Sequence, residues 1–468
     1  MEEYTLSDTT GSATHLTEYS NKSKWRRNAV IGLSVAVFAM VLAVAIALPL
    51  TLNSNDSSPA EPTTTEPPAD PLERARYIMK RVPLVDGHND LPGQIRRRWL
   101  NQLSEVNLWD DLPTHTDIPR LREGLVGGQF WSVYIPCDTQ YKDAVRQTIQ
   151  QIDVTIRFVK QYSGVFELVT TAQGILDAHA NGKIASLIGM EGGHHIDSSY
   201  GNLRAMYALG ARYMTITHNC NTPWADYFGM EDEESFEFNG LSEWGEDLIR
   251  EMNRIGMFVD LSHVASITMH AALNVTQAPV IFSHSGARAL CDHKRNVPDD
   301  VLERLVDNGG VVMVVFFTTF VCPEERVDDC GIGDVADHIE YIVNICGYGC
   351  VGIGADYDGV ELLPKGLEDV STYPALIAEL VTRGWSDENL EKLIGLNLVR
   401  AMEKLEEVRD SMAGVLEYEE FISRYDSEPE TNNPCRTPTD EWPSYREDVI
   451  VFEDIVQEMK QDKYANCE

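Results

Sequence analysis

Short apolar segments recur along the chain, and most of them end in a polar or ionisable residue. Eight segments are predicted as strands, at residues 82–85, 127–135, 186–190, 213–217, 257–262, 279–283, 311–317 and 351–355. Helical patterns separate most of them, for example at 142–162 and 241–254. Strands that alternate with helices predict βαβ units and a parallel sheet. Eight such units predict an α/β fold, a (β/α)₈ TIM-like barrel.

The residues that close these segments are candidates for chemistry. In a parallel barrel all strand carboxyl ends open onto one face, and that face carries the active site. The first segment runs into Asp86-Gly87-His88-Asn89-Asp90, and others end at Glu191, His218, His263, His284 and Asp356. Asp86 is set apart, because Asp-Gly is a turn signal. Nitrogen and oxygen ligands without thiolate suit Zn²⁺, with Mn²⁺ and Co²⁺ as alternatives. The pattern predicts a metal site at this face.

The spacing divides the ligands between two ions. His88 and Asp90 lie two positions apart, so their side chains share one face of a strand end and can hold one metal ion. His263 and His284 close neighbouring strands and can hold a second ion, with Glu191 bridging the two. Two ions about 3.5–4 Å apart can share and activate a water. A single histidine at a strand end is more often structural, so the prediction depends on all five residues together.

Several motifs resemble the membrane (renal) dipeptidase family of zinc peptidases. They are DGHND at 86–90, GMEGGH at 189–194, THNCN at 217–221, PVIFSHS at 279–285, RNVPD at 295–299, GADYDG at 354–359 and GLNLVR at 395–400. The similarity runs in order over residues 71–405. It implies a barrel of the metal-dependent hydrolase type that hydrolyses dipeptides with two zinc ions per chain.

The resemblance also implies a role for each candidate residue. The five ligands keep the assignment above, and Glu191 is catalytic as the bridge between the ions. His218 matches a histidine that contacts the substrate carbonyl and stabilises the oxyanion. Arg295 matches the residue that binds the C-terminal carboxylate of the substrate, and Asp356 matches the acid that transfers the proton. Dipeptides are therefore the expected substrates.

Two other functions compete with this interpretation. One is a different amidohydrolase-like enzyme, such as a deacylase or a β-lactam hydrolase. Those barrels often use His-x-His on the first strand and a carboxylated lysine on the fourth, whereas this chain has His-x-Asp and His218. The other is a catalytically inactive surface protein on the same barrel, which the complete set of five ligands disfavours.

The N-terminal region predicts a membrane anchor. Residues 29–48 contain no charge, which is enough length to cross a bilayer as a helix, and four basic residues lie between positions 22 and 27. The positive-inside rule places residues 1–28 in the cytosol, 29–50 in the membrane and the remainder outside the cytosol, at the cell surface or in a vacuole. This is a single-pass type II arrangement. A cleaved signal peptide is the alternative.

The rest of the chain divides into three parts. Residues 51–70 are rich in Ser, Thr, Pro and Glu and predict a disordered stalk, residues 71–415 form the barrel, and residues 416–468 form an acidic tail. Glycosylation sequons occur at Asn55 and Asn274. The net charge of −36 argues against nucleic acid as a partner.

Nine cysteines fit an oxidising compartment, although the spacing alone assigns no connectivity. The family resemblance implies the pairs Cys137–Cys220 and Cys291–Cys322, both near the active-site face. The segment around Cys435 resembles an interchain cysteine of the family and predicts a homodimer. An intrachain pair of Cys435 with Cys467 is the alternative.

Overall fold

The computed structural model describes residues 67–232 and 236–419. The predicted anchor at 29–50, the sequon at Asn55 and the interchain Cys435 lie outside these residues. Among the helices that are described, none has both the length and the apolar character needed to cross a membrane. Asn274 lies exposed near the end of a helix, where its side-chain oxygen accepts a hydrogen bond from Arg304 Nη2 at 2.7 Å.

Nine parallel strands form one sheet in the described part of the chain. They are β1 (Leu84–Asn89), β2 (Val126–Tyr134), β3 (Phe166–Leu168), β4 (Ile184–Glu191), β5 (Ala211–Thr215), β6 (Phe258–Asp260), β7 (Ile281–Ser285), β8 (Val311–Val314) and β9 (Val351–Ile353). Eight of them follow the order β2-β1-β9-β8-β7-β6-β5-β4, and β2 also pairs with β4. That pairing closes the barrel, which confirms the predicted architecture.

The remaining strand, β3, was not predicted. Its residues pair with Ile184–Ser186 of β4, whereas β5 pairs with Ile188–Met190 further along the same strand. Because β2 occupies the other edge of β4, β3 and β5 share one edge. A strand of three residues carries too little periodicity to be recognised from sequence.

Helices surround the barrel. They are Pro71–Met79, Leu91–Trp99, Ile118–Glu123, Ala144–Gln161, Ala172–Ala180, Tyr200–Ala208, Glu243–Ile255, Ser266–Val275, Asp299–Asn308, Thr318–Val321, Ile332–Cys346, Tyr373–Thr382, Asp387–Glu391 and Asn397–Ser411. Short 3₁₀ turns at Cys137–Thr139, Gly193–Ile196, Phe228–Asp232 and Glu324–Asp329 and a π segment at Lys392–Leu396 complete the described elements.

The helix Glu243–Ile255 shows how the sequence sets these elements. Ser242 precedes it and accepts a hydrogen bond from the Gly245 backbone N–H at 3.3 Å, which satisfies a donor that the helix leaves unpaired. Gly256 ends the helix with φ of 80°, a left-handed conformation that glycine adopts without strain. Between these ends, residues at helical spacing are buried, among them Leu248 and Met252.

Successive strand residues alternate between the barrel interior and the layer under the helices. On β2, the ring of Phe130 lies 4.9 Å from that of Tyr213 across the interior. The next residue, Trp131, packs edge-on against Phe158 of an outer helix at 5.2 Å. Gly189 leaves room inside, because a Cβ there would collide with the Tyr213 ring. Tyr213 can therefore extend across the barrel toward the face that carries the strand carboxyl ends.

Three disulfides occur in the described part of the chain, namely Cys137–Cys220, Cys322–Cys330 and Cys346–Cys350, and Cys291 there is a buried free thiol. The first pair is the one implied by the resemblance. The pair Cys291–Cys322 was wrong, because the 3₁₀ turn Glu324–Asp329 folds the chain back and brings Cys330 to Cys322. Cys291 stays beside this bond, with its sulfur 3.4 Å from the carbonyl oxygen of Cys322.

Candidate metal centre

One carboxylate oxygen lies at the centre of the polar face of the barrel. Glu191 ends β4, and its Oε1 is 3.2 Å from His263 Nε2, 3.5 Å from both His88 Nε2 and His284 Nε2, and 3.6 Å from His218 Nε2. These side chains come from different strands or from the turns that follow them, so the barrel alone brings them together. Glu191 therefore lies among the histidines of both predicted pairs.

Two pairs of candidate ligands lie beside Glu191, and the rings of His88 and His284 approach each other to 3.9 Å between the pairs. His88 Nε2 lies 3.2 Å from Asp90 Oδ2, and His263 Nε2 lies 2.9 Å from His284 Nε2. Four ligands held at 2.0–2.1 Å around one zinc ion are separated by about 3.3 Å. The observed separations are close to that value, so each pair has the spacing that one shared ion requires.

The ring nitrogen that faces away from the centre has a defined partner in each histidine ligand. His88 Nδ1 meets the Tyr213 hydroxyl at 2.8 Å, and His263 Nδ1 meets Asn219 Oδ1 at 3.0 Å. His284 Nδ1 meets Ser283 Oγ at 2.8 Å. A partner at Nδ1 fixes the ring and leaves Nε2 for a metal ion, which is how metal-binding histidines are usually oriented.

The buried carboxylate of Asp260 determines which ring nitrogen of His284 is protonated. Ser283 Oγ donates to Asp260 Oδ2 at 2.6 Å, so the serine oxygen must accept from His284 Nδ1. Asn219 Oδ1 likewise accepts from His263 Nδ1. Both Nε2 atoms then carry lone pairs that face each other at 2.9 Å. Such lone pairs repel unless a cation lies between them, and the residues therefore fit a bound metal ion.

The protonation of three rings, those of His263, His284 and His218, is consistent with metal binding. Burial lowers the pKa of His263 and of His284 well below the ordinary value, and the nearby positive charge of Arg295 lowers both further. Burial likewise lowers the pKa of His218. These imidazoles are therefore neutral at physiological pH, as a histidine that binds a metal ion must be. Buried His88 Nε2 makes no well-aligned hydrogen bond within the described residues, although Asp90 Oδ2 lies 3.2 Å away. Burial lowers the pKa of His88, but the nearby Tyr213, Glu191 and Asp90 raise it to well above the ordinary value.

A second buried carboxylate supports the first pair of ligands. Asp86 lies in β1 rather than in a turn, which corrects the expectation from Asp-Gly. Its oxygens accept from the backbone N–H groups of His88 at 2.7 Å and Ala355 at 3.1 Å, from Gln129 Nε2 at 3.1 Å, and from the Tyr373 hydroxyl. Asp86 thus joins β1 to the end of β9, where Asp356 follows.

Two site residues have an unusual backbone conformation. His263 has φ of 69° and Asp356 has φ of 67°, and both lie just beyond the ends of their strands. Only a few per cent of residues other than glycine adopt this left-handed backbone conformation, and such residues cluster at functional sites. The conformation turns both side chains toward the shared centre. Asp356 Oδ1 lies 3.9 Å from His88 Nε2, and burial raises the pKa of this carboxyl well above its usual range.

The disulfide Cys137–Cys220 contacts the site directly. It joins the turn after β2 to the turn after β5, and the Cys137 sulfur lies 4.0 Å from His218 Nδ1. The ring of Tyr134 lies 5.0 Å from the His218 ring on another side. His218 is therefore held with Nε2 toward Glu191, where it can reach a bound substrate.

Arg295 is a buried cation that lacks an anionic partner. Its guanidinium makes only long contacts, at 3.4 Å to Ser285 Oγ and 3.3 Å to the His284 carbonyl oxygen, and it lies 5.3 Å from the centre of the Phe320 ring. It forms no salt bridge within the described residues. Burial lowers its pKa to about 10. A desolvated guanidinium with open donors is a suitable site for a carboxylate.

These groups line one cavity of about 390 Å³. Its other walls are mostly aromatic or polar, and they include Arg97, Tyr134, Asn219, Phe228, His293, Phe317, Phe320 and Val360. The volume is in the usual range for a small-molecule site. The sequence interpretation missed most of this wall, because its residues come from separate strands, helices and turns that only the fold brings together. Asn219 alone was visible, next to His218 in a quoted motif.

The neighbouring histidines His194 and His195 are structural. His194 Nε2 lies 3.1 Å from the Ile135 carbonyl oxygen. His195 lies 3.0 Å from both the Glu191 carbonyl oxygen and Thr148 Oγ1, so it supports the turn that follows the bridging carboxylate.

Comparison with known proteins agrees with this site. The family model for membrane dipeptidase (Peptidase family M19) matches residues 72–415. Dipeptidase 3 of Mus musculus is 46% identical over 347 residues, which is 73% of this chain and 68% of that protein. Among solved structures, a metallo peptidase from Rhodobacter sphaeroides, liganded with a phosphinate mimic of the dipeptide L-Ala-D-Ala, aligns with a TM-score of 0.62 at 25% identity, covering 69% of this chain and 99% of that one.

A further solved structure, the metallo peptidase dipeptidase AC, aligns with a TM-score of 0.63 at 26% identity and covers 69% of this chain and 98% of its own. The family match spans well over half of the sequence and includes every strand of the barrel. This chain therefore belongs to the membrane dipeptidase family, Peptidase family M19.

Proposed function

We propose that this chain is a zinc-dependent dipeptidase that hydrolyses the peptide bond of free dipeptides. The observation that carries the proposal is the position of Glu191, whose Oε1 lies within 3.6 Å of the Nε2 atoms of four histidines. His88 and Asp90 would hold one ion, His263 and His284 the other, and Glu191 would bridge them. When bound, the two ions would supply an activated water and polarise the scissile carbonyl.

The chain's own residues position the substrate around these ions. Arg295 binds the C-terminal carboxylate, because its buried donors have no other anion to bind. His218 is neutral and donates a hydrogen bond to the carbonyl oxygen on which negative charge develops. Asp356 lies beside the first pair of ligands, 3.9 Å from His88 Nε2, and transfers a proton to the leaving amine.

Substrate length follows from the same arrangement. An enzyme that cleaves only dipeptides must recognise a chain end close to the scissile bond. Arg295 is 2% exposed and contacts the backbone carbonyl of His284. A carboxylate bound there therefore lies next to the metal cage, which is the set of five proposed ligands His88, Asp90, Glu191, His263 and His284. A tripeptide held by the same carboxylate would also present its last peptide bond there, so its additional N-terminal residue must be excluded by the limited cavity of about 390 Å³.

A substrate panel tests this function. The zinc-loaded protein should hydrolyse dipeptides, and it should hydrolyse dipeptide amides, tripeptides and N-acyl amino acids poorly. Arg295→Gln should weaken kcat/KM for dipeptides by about 2–5 kcal/mol, the effect of removing one partner of a buried charge pair. Arg304→Gln, on the outside of the barrel, is the control. Equal rates on acids and amides would remove the role of Arg295, and preference for N-acyl amino acids would favour a deacylase.

The membrane anchor is the second part of the proposal. The disulfides of the barrel indicate an extracellular or lumenal domain. Residues 29–50 would be the anchor, with residues 1–28 in the cytosol and residues 51–70 as a stalk before the barrel at 71–415. Removal of residues 1–52 should give a soluble, active enzyme. Loss of folding in that variant would show that the domain boundary is wrong.

The third part concerns assembly. The acidic tail at 416–468 contains Cys435, which we propose links two copies of the chain in a homodimer. Non-reducing electrophoresis of the full chain should show a band of twice the monomer mass, and Cys435→Ser should abolish it. A band of monomer mass for the unmutated protein would reject the covalent link.

A further inference from the structure

We propose that Arg97 selects the substrate's first residue and favours dipeptides whose first side chain is acidic. This inference rests on the proposed dipeptidase function and adds a preference within it. Arg97 lies on the helix Leu91–Trp99, which follows the ligand Asp90 directly. It is exposed, and it also lines the cavity that contains the cage.

The side chain of Arg97 folds back toward the metal ligands. Its Nη2 donates to the Asp358 carbonyl oxygen at 3.2 Å, in the turn that carries Asp356. A Cβ built on Gly93 would lie 3.9 Å from this Nη2 and 3.8 Å from Asp90 Oδ1. Gly93 therefore leaves a gap on the first turn of the helix, and the guanidinium and the ligand carboxylate both approach it.

Arg97 lacks an anionic partner among the described residues. Its neighbours Arg96 and Arg98 donate to Gln147 at 2.8 Å and to Gln94 at 2.9 Å, and neither lines the cavity. Arg97 uses only the contact with a backbone carbonyl. A guanidinium has five donors, so most of those of Arg97 remain available to a ligand.

Arg97 and Arg295 lie on different sides of the cage. Arg97 follows β1 and Arg295 follows β7, and these strands are three steps apart in the closed eight-strand order. Glu191 ends β4 and His263 follows β6, and both of these strands lie on the longer path around the barrel between β1 and β7. A dipeptide whose carboxylate is bound at Arg295 and whose scissile bond lies at Glu191 therefore directs its first residue toward the side of the cavity that carries Arg97.

The charges of the lining residues decide which first side chain fits. The acidic lining residues are Asp90, Glu191 and Asp356, all of them in the cage or beside it. In the described wall, Arg97 and Arg295 are the only lysine or arginine side chains. A carboxylate on the first side chain would have Arg97 as a partner, whereas a lysine there would meet an unpaired guanidinium and be repelled.

Two matched substrates test this proposal in the full-length, zinc-loaded protein. Glu-Ala and Gln-Ala differ in one charge and hardly in size. We expect kcat/KM for Glu-Ala to exceed that for Gln-Ala by on the order of tenfold, the effect of one hydrogen-bonded ion pair. In Arg97→Gln the ratio should fall toward one, and in Arg97→Glu it should drop below one while Lys-Ala gains. Arg98→Gln, the neighbouring arginine outside the cavity, should keep the original ratio.

A binding measurement separates this preference from turnover. Phosphinate mimics of Glu-Ala and Gln-Ala, titrated by calorimetry, should show the same ratio and the same loss of it in Arg97→Gln. An unchanged ratio in Arg97→Gln, for hydrolysis and for phosphinate binding, would overturn the assignment while leaving the dipeptidase function standing. If no dipeptide is hydrolysed by protein that retains its zinc, the proposed function fails, and the phosphinate titration still decides the role of Arg97.

Discussion

The two halves of the cage are built in different ways. In the first half, His88 and Asp90 come from one strand end, and the carboxylate that supports them, Asp86, lies two positions before His88 in the same strand. In the second half, His263 and His284 come from two strands, and Asp260 supports them by joining those strands. One half is thus a local motif, and the other exists only in the folded barrel.

The supporting carboxylates also act on different atoms. Asp86 accepts from the backbone N–H of His88, so it fixes the position of the ligand but not its ring proton. Asp260 accepts from Ser283 Oγ, and through that hydroxyl it determines which nitrogen of His284 is protonated. The first half therefore depends mainly on backbone position, whereas the second depends on a proton arrangement as well.

The largest effect should come from the residue that the two halves share. Glu191→Gln replaces the bridging carboxylate by an amide that cannot bind two cations equally well. We expect metal content to fall from two ions per chain and kcat/KM to drop by more than about 100-fold. That loss is larger than the usual loss for residues that only support a metal ligand. Elemental analysis and dipeptide hydrolysis measure both effects.

The metal-free form of Glu191→Gln should be at least as stable as the unmutated chain. Burial raises the pKa of Glu191, because a charged carboxylate is costly to bury, and a neutral amide avoids that cost. Chemical denaturation in chelator gives the comparison, with Glu388→Gln on the surface as the control. Full activity in metal-free protein would contradict the two-ion site.

The next effect should distinguish the halves. In Asp260→Asn the amide N–H₂ donates to Ser283 Oγ, which must then donate to His284 Nδ1. That reversal protonates Nε2, the nitrogen that faces the metal position, so the ion held by His263 and His284 should be lost. In Asp86→Asn the Tyr373 hydroxyl can turn and accept, and the tautomer of His88 is unaffected.

Asp86→Asn should therefore lower stability more than it lowers metal affinity. One unsatisfied buried group costs about 1–3 kcal/mol, and denaturation of the metal-free proteins measures that cost. Chelator competition, in which the number of ions released per chain is counted, measures the metal loss. Loss of the same ion in both variants would show that the two carboxylates do not divide the site as described.

The same difference explains what could be predicted from the sequence. The alternation of apolar segments and helical patterns was enough for the barrel, and residues such as His88 and Asp90 could be assigned because their spacing is local. The partnership of His263 with His284 was inferred from neighbouring strands, and their Nε2 atoms lie 2.9 Å apart in the folded barrel. Tyr213 was assigned only to a strand, because nothing local shows that its hydroxyl crosses the barrel to His88.

The cysteines show the limit of such inference. The resemblance correctly implied Cys137–Cys220, which joins two turns of the active-site face. It failed for Cys322, where a nearby cysteine, Cys330, competes through a short turn of the chain. Which of two candidates pairs with a cysteine depends on how a loop folds, and that loop has no repeating pattern to interpret.

The smallest effect should come from single hydroxyls that hold the histidine rings. Tyr213→Phe removes the partner of His88 Nδ1 but keeps the ring that fills the barrel interior, and Ser283→Ala removes both the partner of His284 Nδ1 and its link to Asp260. Partners of this kind change metal affinity by about 10–100-fold. We expect Tyr213→Phe near the lower limit and Ser283→Ala near the upper, because Ser283 carries two connections. Zinc titration against a competing chelator gives both values, and Tyr357→Phe, a buried tyrosine whose hydroxyl contacts no ligand, is the control. An equal loss in the two variants would mean that Asp260 acts on the backbone alone, as Asp86 does, and the two halves would then be built alike.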